Sequence, residues 1–234
     1  GPKPEVFVAG SVLAEARCIA HVWLRSGNTG SARGATAFLT ELRALLPPQV
    51  RLTLLRAAAG KYDDLLAEVR KQVGAWGGLA VRHSQGDQWD FLVLAPVSSA
   101  SAVGSAALTS PFSEAAVAWQ EDELVRGPGL DALPGFLGAG LYHLEMFDAA
   151  PGKLDELVRE REMENAYLAG VGRPRNLIFR REFGAAWDAF TIGAYRDWRH
   201  YAERELVTPA QARAAAVAAG FASEQAIGPY MRTL

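Results

Sequence analysis

Alternating apolar and polar positions mark strands, and a three-to-four-residue apolar spacing marks helices. In "RLTLLRAAAGKYDDLL", Arg51 to Leu66, an alternating run passes through a small-residue turn ending Gly-Lys into an acidic, leucine-bearing helix pattern. "YHLEMFDAAPGKLDELV", Tyr142 to Val158, repeats that order. Downstream, "LAVRHSQGDQWDFLVLAPV" (Leu79 to Val97) aligns without a gap on "LIFRREFGAAWDAFTIGAY" (Leu177 to Tyr195). Leu79 meets Leu177, Arg82 meets Arg180, Gly86 meets Gly184, and Trp89-Asp90 meets Trp187-Asp188. Gly86 and Gly184 fall where a hairpin must turn. Each copy therefore predicts strand, helix, strand, strand. A second helix is expected in each, over about 113–123 and about 195–206, giving most of a split β-α-β unit. Residues 122–127 then read as a closing strand for the first copy. Thr208 to Gly220 predicts a further helix, with a Thr cap, Pro at the first helical position and a Gly stop.

Alternation also sorts side chains onto sheet faces. Tyr142, Leu144 and Met146 share one face; His143, Glu145 and Phe147 share the other. The aligned first-copy residues are Leu52 and Leu54 against Arg51, Thr53 and Leu55. Leu92 and Leu94 match Phe190 and Ile192, opposite Trp89, Phe91 and Val93 and opposite Trp187, Ala189 and Thr191. The aliphatic face is expected to carry the helices. The mixed face is expected to meet another sheet or enclose a ligand space. The first fifty residues predict strands near 5–9 and 16–24, a Gly/Ser/Asn loop, and a helix near 32–46 stopped by Pro47-Pro48. The organisation read from this is an extension over 1–49, a repeat over 50–127, a linker over 128–140 and a repeat over 141–234.

Charge and composition narrow the function. Lys and Arg number 24 against 26 Asp and Glu, a net charge of −2. That balance argues against a nucleic-acid partner held by phosphate neutralisation. No apolar stretch approaches the roughly eighteen residues that span a bilayer, so no membrane partner is expected. The single cysteine, Cys18, lies in "CIAHVWL" and reads as a buried, inert thiol. It excludes an internal disulfide and a cysteine-rich zinc site. The opening Gly-Pro reads as the remnant of a cleaved tag, which leaves cytoplasmic and exported locations both open.

The repeat resembles the dimeric α/β-barrel superfamily. "YHLEMFDAAPGKLDELV", "NLIF" and "GAAWDAFTIGAYRDWRHYAE" are most similar to bacterial NIPSNAP-like proteins, over about residues 60–234. The resemblance implies an α+β fold of tandem ferredoxin-like units with antiparallel sheets facing each other, plus a short α/β extension. Relatives in that superfamily include haem-binding and quinone-forming enzymes, but no haem-ligand motif carries over. The front segment, Leu13 to Ala57, resembles the core of insertion-sequence DDE transposases, whose corresponding strand leads into "RADSGF". This chain reads "RAAAGK", with Ala58 where that motif has its metal-binding aspartate. Two-metal chemistry needs that carboxylate, so no transposase activity is expected. The chain thus reads as a fusion in which "VRLTLLRA" stands in for the first strand of the first repeat.

Candidate chemistry gathers on the mixed face. His143 and Glu145, two residues apart on one strand, form a candidate proton-transfer pair. Arg82 and Arg180 occupy equivalent positions and suit a carboxylate or phosphate. Arg51, Trp89, Trp187 and Tyr195 complete the set, expected to converge between the sheets and bind a small-molecule ligand. The bland alternative is that these charges satisfy one another while the tryptophans fill space. Asp90 and Asp188 read as turn caps. His83 and His200 lack a second ligand at metal spacing, so no metal or other cofactor is expected. The Gly-rich stretch 27–34 lacks the P-loop and dinucleotide signatures. "RERE" at 159–162 and "ERE" at 203–205 read as solvated helix faces. The reading is a non-catalytic ligand-binding or interaction protein. The alternatives are a monooxygenase or lyase using His143 and Glu145, and a homodimeric scaffold held by the extension helix.

Overall fold

The computed structural model describes residues 6–13, 18–26, 49–84, 88–97, 110–184, 186–203 and 207–234. The chain divides into two units, 1–47 with 98–107 and 48–97 with 108–234. In the first, β1 (Val6–Leu13) and β2 (Cys18–Ser26) pair antiparallel, with a register shift at Ser11/Val12. The helix expected over 32–46 and the Gly-rich stretch 27–34 lie outside the described residues.

The second unit begins with β3 (Gln49–Ala57), α1 (Tyr62–Trp76), β4 (Leu79–Arg82), β5 (Phe91–Pro96) and β6 (Val117–Arg126). A single 3-10 turn over Phe136–Gly138 leads to β7 (Leu141–Phe147), α2 (Leu154–Gly170), β8 (Asn176–Phe183) and β9 (Ala189–Tyr195). Three short helices close the chain: α3 (Trp198–Ala202), α4 (Pro209–Ala218) and α5 (Ile227–Met231). The seven strands form one antiparallel sheet in the order β4-β5-β3-β6-β8-β9-β7. The protein is therefore α+β. In both halves the last strand of the hairpin lies between its predecessor and the strand before the helix: β5 between β4 and β3, β9 between β8 and β7.

The repeated text folds into repeated hydrogen bonds. Asp90 accepts from the Ala57 amide at 2.8 Å, and Asp188 accepts from the Ala149 amide at 3.1 Å. The Asp90 and Asp188 amides donate to the Leu55 and Phe147 carbonyls at 2.7 and 2.8 Å. Each aspartate thus caps the turn between strand and helix, as its position predicts. Gly60 and Gly152 supply the left-handed residue of that turn, with φ +73 and +77. Both helices then begin with acidic residues in the first turn, Asp63 and Asp64 or Asp155 and Glu156. Those carboxylates suit the positive end of the helix dipole.

Two expected helices are corrected. Residues 117–126 form strand β6, which pairs with β3 along most of its length and with β8 at its end. Non-local pairing overrides the helix-forming composition of "EAAVAWQEDELV", and the closing strand expected from Asp122 starts five residues earlier. In the second copy Tyr195 ends β9, the helix covers only Trp198–Ala202, and 204–206 lie outside the described residues. The hairpin turn at Gly86 also lies outside them; Gly184 has φ +108 just after β8. The helix at Pro209 forms as predicted, with a full capping box between Thr208 and Gln211.

The faces are inverted relative to expectation. α1 packs Leu65 and Val69 on Leu55, Phe91 and Val93, the residues of the mixed face. The aliphatic face, Leu52, Leu54, Leu92 and Leu94, instead joins Leu177, Phe179, Phe190 and Ile192 in one core shared by both halves. Linker residues Leu130 and Phe136 bury into the same core. The reason is visible in β5, where Phe91 through Ala95 are all buried. A strand covered on both faces carries no polar alternation to say which side takes the helix.

Candidate functional site

The expected convergence of eight residues between sheets does not occur; three of them meet elsewhere. Trp89 is buried at 8% exposure with its ring stacked on His83 at 4.0 Å. Trp187 packs edge-on against Phe190 at 5.4 Å, beside the shared core. Arg51 donates to Asp122 at 2.9 Å, with Thr53 on the same carboxylate at 2.6 Å. Arg82 is exposed on the short strand β4, and Arg180 pairs with Asp155 at 2.8 Å on the surface. Trp89 and Trp187 thus both belong to the shared core, where they fill space, while Arg51, Arg82 and Arg180 lie apart from one another.

His143, Glu145 and Tyr195 do come together. They line a cavity of about 1280 Å³ on the helix-bearing side of β7 and β9. β7 supplies His143 and Glu145, and the end of β9 supplies Tyr195. α2 contributes Glu164, Tyr167 and Leu168, and α3 contributes Tyr201. The first turn of α4 and Glu224 close the far wall. α4 reaches α2 closely because both carry small residues there: a Cβ added at Gly170 would lie 2.9 Å from the Ala215 Cβ.

Charge is buried beside this cavity. Arg161 is 3% exposed and Glu160 0% exposed, so "RERE" is not a solvated face; only Arg159 and Glu162 of it point to solvent. Leu157, Glu160, Arg161 and Leu168 share the buried stripe of α2. Arg161 reaches Glu160 at 2.5 Å, Glu164 at 2.6 Å and Glu145 at 3.6 Å, and stacks over Phe147 at 5.0 Å. Burial pushes the Glu160 and Glu164 carboxyls above the usual carboxylate range, opposed by Arg161. The sequence signal for this was present: two charges three and four residues after Leu157, inside an apolar stripe that resumes at Leu168.

Aromatic rings form the other wall. Tyr201 lies 5.0 Å from the His143 ring and packs edge-on to Tyr195 at 5.1 Å. Arg173 stacks over Tyr195 at 5.9 Å, and its guanidinium donates to the Tyr201 and Glu203 carbonyls at 2.9 and 2.6 Å. Burial, with Glu224 against its hydroxyl, pushes the Tyr167 phenol up to about 12. Burial raises the Tyr195 phenol as well. The phenols are therefore neutral and present polarised ring faces. Asn165 on α2 clamps the start of β8, bonding both the amide and the carbonyl of Asn176 at 2.7 and 2.8 Å.

Among the described residues no group of three or more His, Cys, Asp or Glu side chains is arranged to hold a metal ion. No helix among them is long and apolar enough to cross a membrane. Compared with protein-family models, with curated proteins and with solved structures, the chain matched none.

Proposed function

We propose that the chain is a small-ligand-binding protein of NIPSNAP-like descent, built from two ferredoxin-like repeats with a transposase-derived extension that has no transposase activity. The duplicated Asp90 and Asp188 caps and the shared placement of β5 and β9 support the two repeats. Leu52, Leu94, Phe179 and Ile192 are 0% exposed on the face away from α1 and α2. That supports a sheet whose halves curl over a common core. The central place of β3, paired on both sides, supports "VRLTLLRA" as a working substitute for a first strand.

The observation that carries the binding role is the cavity itself. It is large enough to admit a drug-sized molecule, and its walls set aromatic and apolar side chains beside about as many polar ones. Binding is favoured over turnover because several of its reactive groups are already engaged. The Thr208 hydroxyl caps α4, Arg173 holds two carbonyls and Glu164 holds Arg161. Ala202 is exposed on the cavity rim, so Ala202→Trp fills the space without entering the core. A thermal-shift screen of a chemically diverse small-molecule set should find compounds that stabilise the parent chain but not this variant. Equal shifts in both proteins would move binding away from this cavity. One observation favours a second reading, an enzyme of monooxygenase or lyase type: His143 and Glu145 open onto the same space. Unchanged turnover in His143→Ala and Glu145→Gln would remove it.

A further inference from the structure

We infer that the cavity on the outer face of β7 takes an organic cation, an ammonium borne on an aromatic or apolar body. This rests on the ligand-binding reading above and adds the ligand's charge and class. Three carboxylates line the cavity, Glu145, Glu164 and Glu224, with one guanidinium, Arg173, and the imidazole of His143; behind the lining the buried Glu160 and Arg161 pair with each other. Both guanidinium groups are already engaged by the protein. Arg161 is spread over three of the carboxylates, and Arg173 is held by two main-chain carbonyls and a ring. Carboxylates therefore outnumber the cations beside them, and burial, opposed by Arg161, holds the Glu160 and Glu164 carboxyls above the usual carboxylate range.

The unmet hydrogen-bonding capacity has the same sign. Glu160 Oε1 and Asn176 Oδ1 are buried acceptors with no hydrogen-bond partner among the described residues. Glu145 is held only loosely, at 3.6 Å from Arg161 and 3.4 Å from the Thr191 hydroxyl, and its side chain is 34% exposed. What would meet these acceptors is a further positively charged donor beyond Arg161. Tyr167, Tyr195 and Tyr201 line the same space, and tyrosine ring faces attract a cation. The carboxylates are not grouped at metal-ligand geometry, which favours a spread-out organic cation over a bare metal ion.

The test is calorimetry on the full chain with three probes of one shape: 2-phenylethylamine, 2-phenylethanol and 3-phenylpropanoate. The amine should bind at least about tenfold more tightly than the alcohol, and the carboxylate should bind weakest. Glu145→Gln and, separately, the exposed Glu224→Gln should each weaken the amine severalfold while leaving the alcohol unchanged. Equal or tighter binding of the carboxylate, or amine binding indifferent to both variants, overturns the cation assignment while the binding cavity stands. Failure of all three probes at millimolar concentration, with both variants folded by circular dichroism, overturns the cavity reading too.

Discussion

Glu123 is the residue most at odds with its surroundings. It lies on β6 with 2% exposure, and neither carboxylate oxygen has a hydrogen bond of good geometry, although the Trp187 indole stands near enough to favour the charged form. Burial, with Glu121 adding repulsion, pushes its carboxyl from 4.5 up to about 8. The folded chain then holds a proton that the unfolded chain releases. Stability from this group is complete below 4.5 and is lost as pH rises through about 8. The slope reaches at most about 1.4 kcal/mol per pH unit. Glu123→Gln copies the protonated form at every pH. Its melting temperature should match the parent on the acid side of that window and exceed it on the alkaline side. A constant difference across the window would mean that the Glu123 carboxyl does not titrate there.

At the scale of elements, local signals and tertiary contacts divide the chain cleanly. α4 was readable because its start is written locally, in Thr208, Pro209 and Gln211. The Asp90 and Asp188 caps were readable because one local pattern occurs twice. β6 was readable only at its end, as the closing strand over 122–127, because nothing near Glu121 shows that β3 will be its partner. The buried charges of α2 were missed for a related reason: Glu160 and Arg161 are charged in sequence, and only the fold brings Glu145 across from β7 to meet Arg161. Alternation puts Tyr195, His143 and Glu145 on one face, but whether that face is internal or helix-covered is decided only by the fold. α2 is fastened to the start of β8 by a side chain that imitates a strand partner, Asn165 bonding both main-chain groups of Asn176. Asn165→Ala strands a part-buried amide and carbonyl and should cost about 1–3 kcal/mol. Urea denaturation measures this. Asn165→Asp, which keeps only the acceptor, should fall between the two.

Across the whole second unit, the two halves meet along a short seam, Leu124 to Arg126 against Arg180 to Phe183, reinforced by the Arg126–Glu182 pair. A seam of three pairings would be weak alone. Its strength comes from the core beneath it, where Val125 lies among leucines of the first half and Leu177 and Phe179 of the second. Gly127 marks where β6 leaves this seam. A Cβ there would fall 2.5 Å from Phe179 Cδ1 and 2.7 Å from the Ile178 carbonyl oxygen. The ring has no room to yield, since Phe179 is 0% exposed and stacks on Phe190 at 4.7 Å, and the carbonyl belongs to β8 itself. Gly127→Ala should therefore destabilise by about 1–3 kcal/mol, the usual range for overpacking. Because one core serves both halves, the loss should not be confined to either. Tryptophan fluorescence, which sums six tryptophans with Trp89 in one half and Trp187 in the other, and far-ultraviolet circular dichroism should shift together to a lower denaturant midpoint. Two separated transitions, with only one moved by the substitution, would mean that the halves unfold independently and that the shared core does not couple them.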